Sequence, residues 1–582
     1  MLTRYLRHGW LVLLLCLASL QPLLAAPAKI SIEGINGRLK DNVLAWLSLA
    51  EEPCDAPGWR VQARLEKARG EIRQALQGFG YYQPNIRHLF EAAGKNGCWH
   101  ASFTIEPGRR VMLRNIDVKL QGQASTDAAF TRLINSSELK SGQPLRQDHY
   151  QSLKNGISDL AASRGYLDGQ FSQHELRVDP AAGYADIHLH FDSGPGYRFG
   201  EIRVQQDIID PALLQHFLAF QSGDLYSRKT LSETSRALSS SGYFERVLVQ
   251  PLVDQAMDRQ VPVNISLEPS KRHAYSASIG YATDTGPRFG LGYRNQRLNT
   301  RGHQFDSDLS VSRVISKLTL GYSIPLENPV TDKLTYAAGF KHENTDSYVT
   351  DTTAVSAALT HKHASGWLEE RSLTLSREDY TIDSEDTTTS RLFMPADRWL
   401  MSTADDRLYP RKGLRLHFKV NGSLEQVLSD VSFLQVSIDA RGVLGLPWRS
   451  RLIGRVNTGG TLIDQFDNLP TSVRYFAGGD SSVRGYAYKS LGPENVDGVV
   501  EGGRNLLVGS IEIEHLISGR WGLAAFVDSG NAFNEMIVAP KTGIGVGIRW
   551  RSPIGPIRLD FAHPTEKNLD QFRIHFSMGP EF

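Results

Sequence analysis

Cysteine is scarce, three residues in 582. That excludes a disulfide-dense secreted scaffold and any multi-cysteine zinc ribbon. Charge of one sign is missing as well. Lys and Arg total 64 against 63 Asp and Glu, a formal balance of +1, which leaves no basic footprint for nucleic acid. Beyond the first residues there is no run of about 20 apolar residues, so no further membrane helix is expected. A G-x-S-x-G elbow, a phosphate loop and a zinc-binding helix motif are all absent. With them go the common routes to nucleophilic, phosphoryl-transfer and zinc chemistry. His188 and His190 share one strand face, as do His361 and His363, and on a wet sheet such pairs read as solvated polar residues. The expectation is a non-enzyme with no cofactor, no metal and no nucleic-acid partner.

What is present begins with a leader. Arg4, Arg7 and His8 precede an apolar run from Trp10 to Leu17 that continues to Leu24, followed by Ala25, Ala26 and Ala28. This pattern predicts a secretory signal over residues 1–26. Leu15 before Cys16 argues against a lipoprotein anchor. Cys54 and Cys98 remain after processing. Both sit in one unit and in an oxidising compartment, which predicts a single disulfide between them.

The next 240 or so residues repeat loosely. Three helix-like stretches each run into a glycine-aromatic turn and then a strand. The turns are Gly80-Tyr81, Gly165-Tyr166 and Gly242-Tyr243. Glycine there ends a helix by taking the left-handed conformation. A second marker recurs at the joints: Pro-Gly, a basic residue, then an alternating strand, Ile116 with Val118 and later Ile202 with Val204. The units are expected at 27–107, 108–195 and 196–269. Each reads as α+β, with amphipathic helices covering one face of a small sheet.

After Lys271 the helical period gives way to alternation. Tyr275, Ala277, Ile279 and Tyr281 share one face, as do Ile544, Val546, Ile548 and Trp550, and Phe572, Ile574, Phe576 and Met578. Ser, Thr, Arg, His, Asp and Gly fill the opposite faces. One lipid face and one wet face produce this pattern. Residues 270–582, at about 20 residues per strand with its connection, give roughly 16 antiparallel strands of a transmembrane β-barrel. Tyr336, Trp367, Trp399, Tyr409 and Trp448 are expected in an interfacial aromatic girdle.

One loop stands out. Val483-Arg484-Gly485-Tyr486 lies in a glycine-rich run after Gly478-Gly479 and cannot be the middle of a strand. Downstream, Asp528 lies on the strand Phe526-Val527-Asp528-Ser529-Gly530, and Glu512 and Glu514 share the face opposite Ile511 and Ile513. Carboxylates pointing into a barrel need a positive partner or water. The planar fork of Arg484 can supply two parallel hydrogen bonds, which Lys cannot reproduce.

These two motifs resemble those of the outer-membrane insertase superfamily, which includes BamA, the mitochondrial sorting component and the two-partner secretion transporters. Three repeats of about 80 residues resemble polypeptide-transport-associated (POTRA) domains. Their number, the run Asp405–Gly413 and the closing Gly579-Pro580-Glu581 look closest to the TamA branch. The resemblance implies a bacterial outer-membrane location with the N-terminal domains in the periplasm. It implies that Arg484 tucks into the lumen and meets Asp528, with Glu512 as second acceptor; Glu514 has the same parity. It further implies assembly or translocation of client β-barrel proteins such as autotransporters. The partners it implies are unfolded clients, the lipid bilayer and a TamB-like periplasmic protein anchored in the inner membrane. The alternative is a dedicated two-partner pore for one exoprotein. A lateral seam is expected between the first and last strands, with Ser276 and Ser278 of the first and Arg573, His575 and Ser577 of the last facing the lumen, some pair drawn from the two sets directly opposite across it, and Gly280 weakening it.

Overall fold

The structure is a computed structural model that describes residues 29–92, 98–383, 386–406, 408–535, 539–552, 555–566 and 572–578. The expected leader and Gly579–Phe582 lie outside the described residues.

Three small three-stranded sheets precede the barrel. In the first, Lys29–Glu33 runs parallel to His100–Glu106, which pairs antiparallel with Asn85–Glu91. The covering helix Gly58–Gln77 buries Val61, Leu65, Ala68, Ile72, Ala75 and Leu76. Those positions follow the 3.6-residue period, so one stripe meets the sheet residues Phe103 and Ile105 in a common core. Each buried Leu, Ile or Val contributes roughly 1.5–3 kcal/mol. Cys54 and Cys98 are bonded, Cα to Cα 4.7 Å, closing a span of 44 residues. The second and third sheets repeat the same order, with the last strand of each unit in the middle.

The three glycine turns have one job in common. Gly80, Gly165 and Gly242 have φ of +87°, +87° and +80°. A Cβ on Gly80 would meet the Leu145 carbonyl oxygen at 2.8 Å, and one on Gly165 would meet that of Tyr226, also at 2.8 Å. One on Gly242 would meet the Gln296 side chain at 2.9 Å. The carbonyl of Gly80 accepts the Val111 N–H and that of Gly165 accepts the Tyr197 N–H. Each turn therefore abuts the segment that opens the next unit, and glycine is required both by φ and by the close approach. The third domain continues this into the barrel's first periplasmic turn, where the Tyr243 hydroxyl donates to the Gly302 carbonyl at 2.6 Å.

Sixteen antiparallel strands follow in sequence order, from His273–Ala282 to Arg573–Met578, as a nearly closed barrel. Tyr275 and Ile279 of the first strand are 78% and 81% exposed, the lipid-facing half of the alternation. Polar residues such as Glu343, Glu378, Asp528 and Asp560 are buried in the lumen instead. Trp367 meets Trp399 edge to face, and Trp521 stacks on Trp550, as an interfacial girdle requires.

Tyr409 departs from expectation. Rather than joining the girdle, its hydroxyl donates to Glu514 Oε2 at 3.0 Å inside the lumen. The aromatic spacing looked interfacial because a turn residue obeys no strand parity.

The seam also departs from expectation. The fifteen other neighbouring pairs form ladders, but the first and last strands form none among the described residues. They meet through Thr283, whose N–H donates to the Phe576 carbonyl at 3.2 Å and whose Oγ1 accepts the Phe576 N–H at 2.6 Å. Thr283 lies beyond the end of the first strand, so Ser276 and Ser278 sit closer to the periplasm than any described residue of Arg573–Met578 can reach in this antiparallel register. No pairing of Ser276 or Ser278 with Arg573, His575 or Ser577 therefore occurs. Alternation could not give the register. A Cβ on Gly280 would meet nothing within 4 Å, so this glycine leaves open space beside the seam.

Candidate functional site in the barrel lumen

The loop between Ser450–Leu462 and Asn505–Ser518 leaves the barrel on its outer side and turns back into the lumen. Its tip is Val483-Arg484-Gly485-Tyr486. Val483 and Tyr486 pack with Ala477, Leu491 and Val508 in a small buried cluster. Gly485 has φ of +100°, and a Cβ there would press on the backbone of His563 and Pro564 at 3.2–3.3 Å. The turn thus needs glycine both to form and to lie against the wall.

Arg484 uses its whole fork. Nε donates to Asp528 Oδ2 at 2.7 Å and Nη2 to Asp528 Oδ1 at 2.9 Å. Nη1 reaches Glu512 Oε2 at 2.7 Å and Asp560 Oδ2 at 3.0 Å. Its backbone N–H also donates to Asp528, at 3.1 Å. The guanidinium carbon lies 3.3 Å from the centre of the Phe526 ring, a cation–π contact that covers the group's face. Asp528 is wholly buried, and Ser510 Oγ donates to it as well. Burial of so many charges is tolerable only because each is paired and hydrogen-bonded.

The carboxylates do not stop at Arg484. Arg549 donates to Glu512 at 2.6 Å, Glu514 at 3.0 Å and Asp560 at 2.5 Å. Arg451 pairs with Glu514 at 2.5 Å. Arg455 donates to the Ser482 carbonyl at 2.6 Å and stands 4.0 Å from Asp528. Four guanidiniums therefore face Glu512, Glu514, Asp528 and Asp560, and their formal charges balance.

Space for this network comes from one strand. Lys541–Ser552 carries Gly543, Gly545 and Gly547 on its inward face. A Cβ at Gly543 would fall 1.8 Å from the Arg484 carbonyl oxygen, at Gly545 2.4 Å from the Phe526 ring, and at Gly547 1.9 Å from Asp560 Oδ1. Sequence reasoning missed Arg549, Asp560 and Arg451. The available signal was this row of alternate glycines ending in an inward arginine, since glycine repeated on one strand face marks a close approach.

Further along the loop, Lys489 pairs with Glu343 at 2.8 Å, and Thr471 donates to Glu378 at 2.8 Å. On the last strand, His575 Nε2 accepts the Gly485 N–H at 2.9 Å while Nδ1 meets Asp480 Oδ1 at 2.5 Å. The Asp480 N–H donates to Asp284 in the first outer turn at 2.6 Å. His575, expected at the seam, thus holds the loop tip. Burial first, and the Asp480 carboxylate second, push the Asp284 carboxyl up to about 7. Ser276, Ser278, Arg573 and Ser577 take no part in this arrangement among the contacts described.

The paired histidines are otherwise engaged. His190 and Lys119 both meet Asp117, at 2.7 and 2.9 Å, so a cation already occupies that carboxylate. His361 pairs with Asp332, and His363 with Glu369 at 2.8 Å.

A loop-filled 16-strand barrel preceded by three small α/β domains defines a class: outer-membrane barrels carrying periplasmic POTRA domains. The model of the Omp85 superfamily domain matches residues 262–582, that of the TamA POTRA domain 1 matches 29–107, and a surface antigen variable number repeat of the POTRA type matches 197–270. The chain belongs to the Omp85 superfamily, an outer-membrane β-barrel with periplasmic POTRA domains. It is 22% identical to the outer membrane protein assembly factor BamA of Nitratidesulfovibrio vulgaris over 609 residues, covering 95% of this chain and 73% of that one. It is also 22% identical to BamA of Neisseria meningitidis over 226 residues, covering 36% and 28%. Its fold is similar to that of BamA from Haemophilus ducreyi lacking POTRA domains 1–3, with a TM-score of 0.64, 18% identity, and coverage of 80% of this chain and 100% of that one.

Proposed function

We propose that this protein inserts client β-barrel proteins, autotransporters among them, into the outer membrane, or translocates them across it. The observation that carries the reading is the seam. Fifteen strand pairs are laddered, whereas the closing pair is held among the described residues by the two hydrogen bonds of Thr283 with Phe576. Among the described residues the outward N–H and C=O groups of the first strand are not laddered to the last strand, and in hydrocarbon each unmet group costs several kcal/mol. An incoming client strand meets that need by edge addition. Each small sheet also keeps two edge strands, Lys29–Glu33 and Asn85–Glu91 in the first, which suit capture of extended segments in the periplasm. Lumenal charges hold the outer loop across the barrel while the seam works, and no nucleotide is required. A TamB-like periplasmic partner fits the TamA-type first domain.

Depletion of the chain followed by quantitative profiling of the outer-membrane proteome tests the reading. Loss of several barrels or autotransporters is the expected result. Unchanged levels of all of them would sink it. Loss of one exported protein alone would instead favour a dedicated secretion pore.

A further inference from the structure

The described residues of the run Asp405–Gly413, all but 407, lie in the periplasmic turn between Thr388–Ser402 and Gly413–Ser423. Its residues are arranged to aim one side chain. Asp405 accepts the N–H groups of Arg411 and Lys412 at 2.9 and 3.2 Å, which closes the turn. Asp406 accepts those of Leu408 and Tyr409 at 2.7 and 2.8 Å, which fixes the backbone at Tyr409. A Cβ at Gly413 would fall 2.7 Å from the Ala404 Cα, so the neck of the turn is pinched. The Tyr409 ring enters the lumen from below. The guanidinium carbons of Arg451 and Arg551 lie 3.5 and 3.3 Å from its centre. Two such groups cannot share one ring face at those distances, so they clamp the ring from opposite sides. The hydroxyl donates to Glu514, and Arg451 reaches the Pro410 carbonyl at 2.8 Å.

Glu514 joins the turn to the rest of the lumenal network. One oxygen, Oε2, takes the Tyr409 hydroxyl and Arg451; the other, Oε1, takes Arg549 Nε at 3.0 Å. Arg549 in turn holds Glu512 and Asp560, which are acceptors of Arg484. A continuous chain of charged hydrogen bonds therefore runs from the periplasmic turn to the outer loop: Tyr409, Glu514, Arg549, Glu512, Arg484. In such a network the placement of each member depends on its neighbours.

We propose that Tyr409 is a positioning residue for Arg484, so that the state of the periplasmic turn sets how firmly the outer loop is held in the lumen. The clamp keeps Glu514 aimed at Arg549, and Arg549 keeps Glu512 and Asp560 aimed at the loop arginine. Removing the ring leaves Arg451 and Arg551 to compete for Glu514, and the effect travels one ion pair at a time.

Amide hydrogen exchange on the full chain in lipid nanodiscs reads this without any client, because the Arg484 and Gly485 N–H groups donate to Asp528 and His575. In Tyr409→Ala, exchange across residues 480–491 should rise roughly tenfold, a size typical of coupling within one network. Exchange in the strand Ile315–Pro325 should not change. Tyr409→Phe keeps the clamp and loses the hydroxyl, and should give a smaller rise in the same segment. Faster exchange confined to residues 403–413 would overturn the proposal. If Tyr409→Ala does not fold, the pair Tyr409→Phe and Glu514→Gln decides. A double variant no looser at 480–491 than the worse single supports the chain, and additive loosening overturns it.

Discussion

Arg484 carries more than charge. Its five hydrogen-bond contacts to Asp528, Glu512 and Asp560 need a planar fork and a backbone N–H in register. Arg484→Lys retains the charge and loses the fork. Three buried carboxylates are then left underpaired, and breaking such a pair costs about 3–5 kcal/mol. Arg484→Lys should therefore impair the barrel nearly as much as Arg484→Ala, read from heat-modified gel mobility; near wild-type mobility for Lys alone would show that charge suffices. A second prediction lies at Asp284, a turn residue whose carboxyl is raised from 3.8 to about 7 by burial and by Asp480. A raised folded value stabilises the protonated form. The contribution is complete below 3.8 and is lost as pH climbs through about 7. His575 and the Asp480 N–H also face this group, and Asn can keep the neutral hydrogen bond. Asp284→Asn should thus flatten the fall in melting temperature between pH 4 and 7, and parallel wild-type and variant curves would contradict it. Sequence alone revealed Arg484 and Asp528 through a loop glycine and strand parity. It hid Asp560 and Arg549, because parity tells that a side chain points inward and nothing about which strands lie across the lumen.

Among the elements, the glycine-bearing strand Lys541–Ser552 and the first domain make separate demands. Gly547→Ala places a methyl group within 1.9 Å of Asp560 Oδ1, against a strand backbone that cannot retreat. Overpacking of this kind costs typically 1–3 kcal/mol. The variant barrel should still form, with the loop made accessible to added protease at residues 480–491; resistance equal to wild type would show that Asp560 can move aside. In the first domain, closing a 44-residue span restricts the unfolded chain by about 4 kcal/mol in the loop-entropy account. Cys54→Ser with Cys98→Ser should lower that domain's unfolding midpoint, seen as earlier proteolysis of residues 29–107 while the barrel stays folded. Identical proteolysis profiles with and without the bond would remove the stabilising role. Element types were legible because the hydrophobic period switches from helical to two-residue alternation at Lys271. The packing of Gly80, Gly165 and Gly242 against the next unit was not, since a helix-ending glycine and a joint glycine look alike in sequence.

For the whole molecule, the register of the closure decides what kind of machine the barrel can be. The last described strand residue pairs lie opposite the outer turn of the first strand, around Thr283, rather than opposite Ser276 or Ser278. Among the described residues closure therefore rests on the outer end of the seam, where His575 also ties the loop tip to the wall. Any opening of this seam would strain the hold on the loop, since both use the strand Arg573–Met578. Tyr281 packs edge to face on Phe576 on the same side of the seam, which places Thr283 and Phe576 in reach of one another. Cysteines at Thr283 and Phe576 should form a disulfide that fastens the outer end without disturbing any of the fifteen ladders. If a client strand enters between the first and last barrel strands, the oxidised double variant should remain a folded barrel yet lose client assembly, and reductant should restore it. The same oxidised barrel should hold its loop at least as well as wild type, because His575 is kept beside Gly485. Full client assembly by a completely crosslinked population would exclude entry at this seam and move the work to the periplasmic sheet edges.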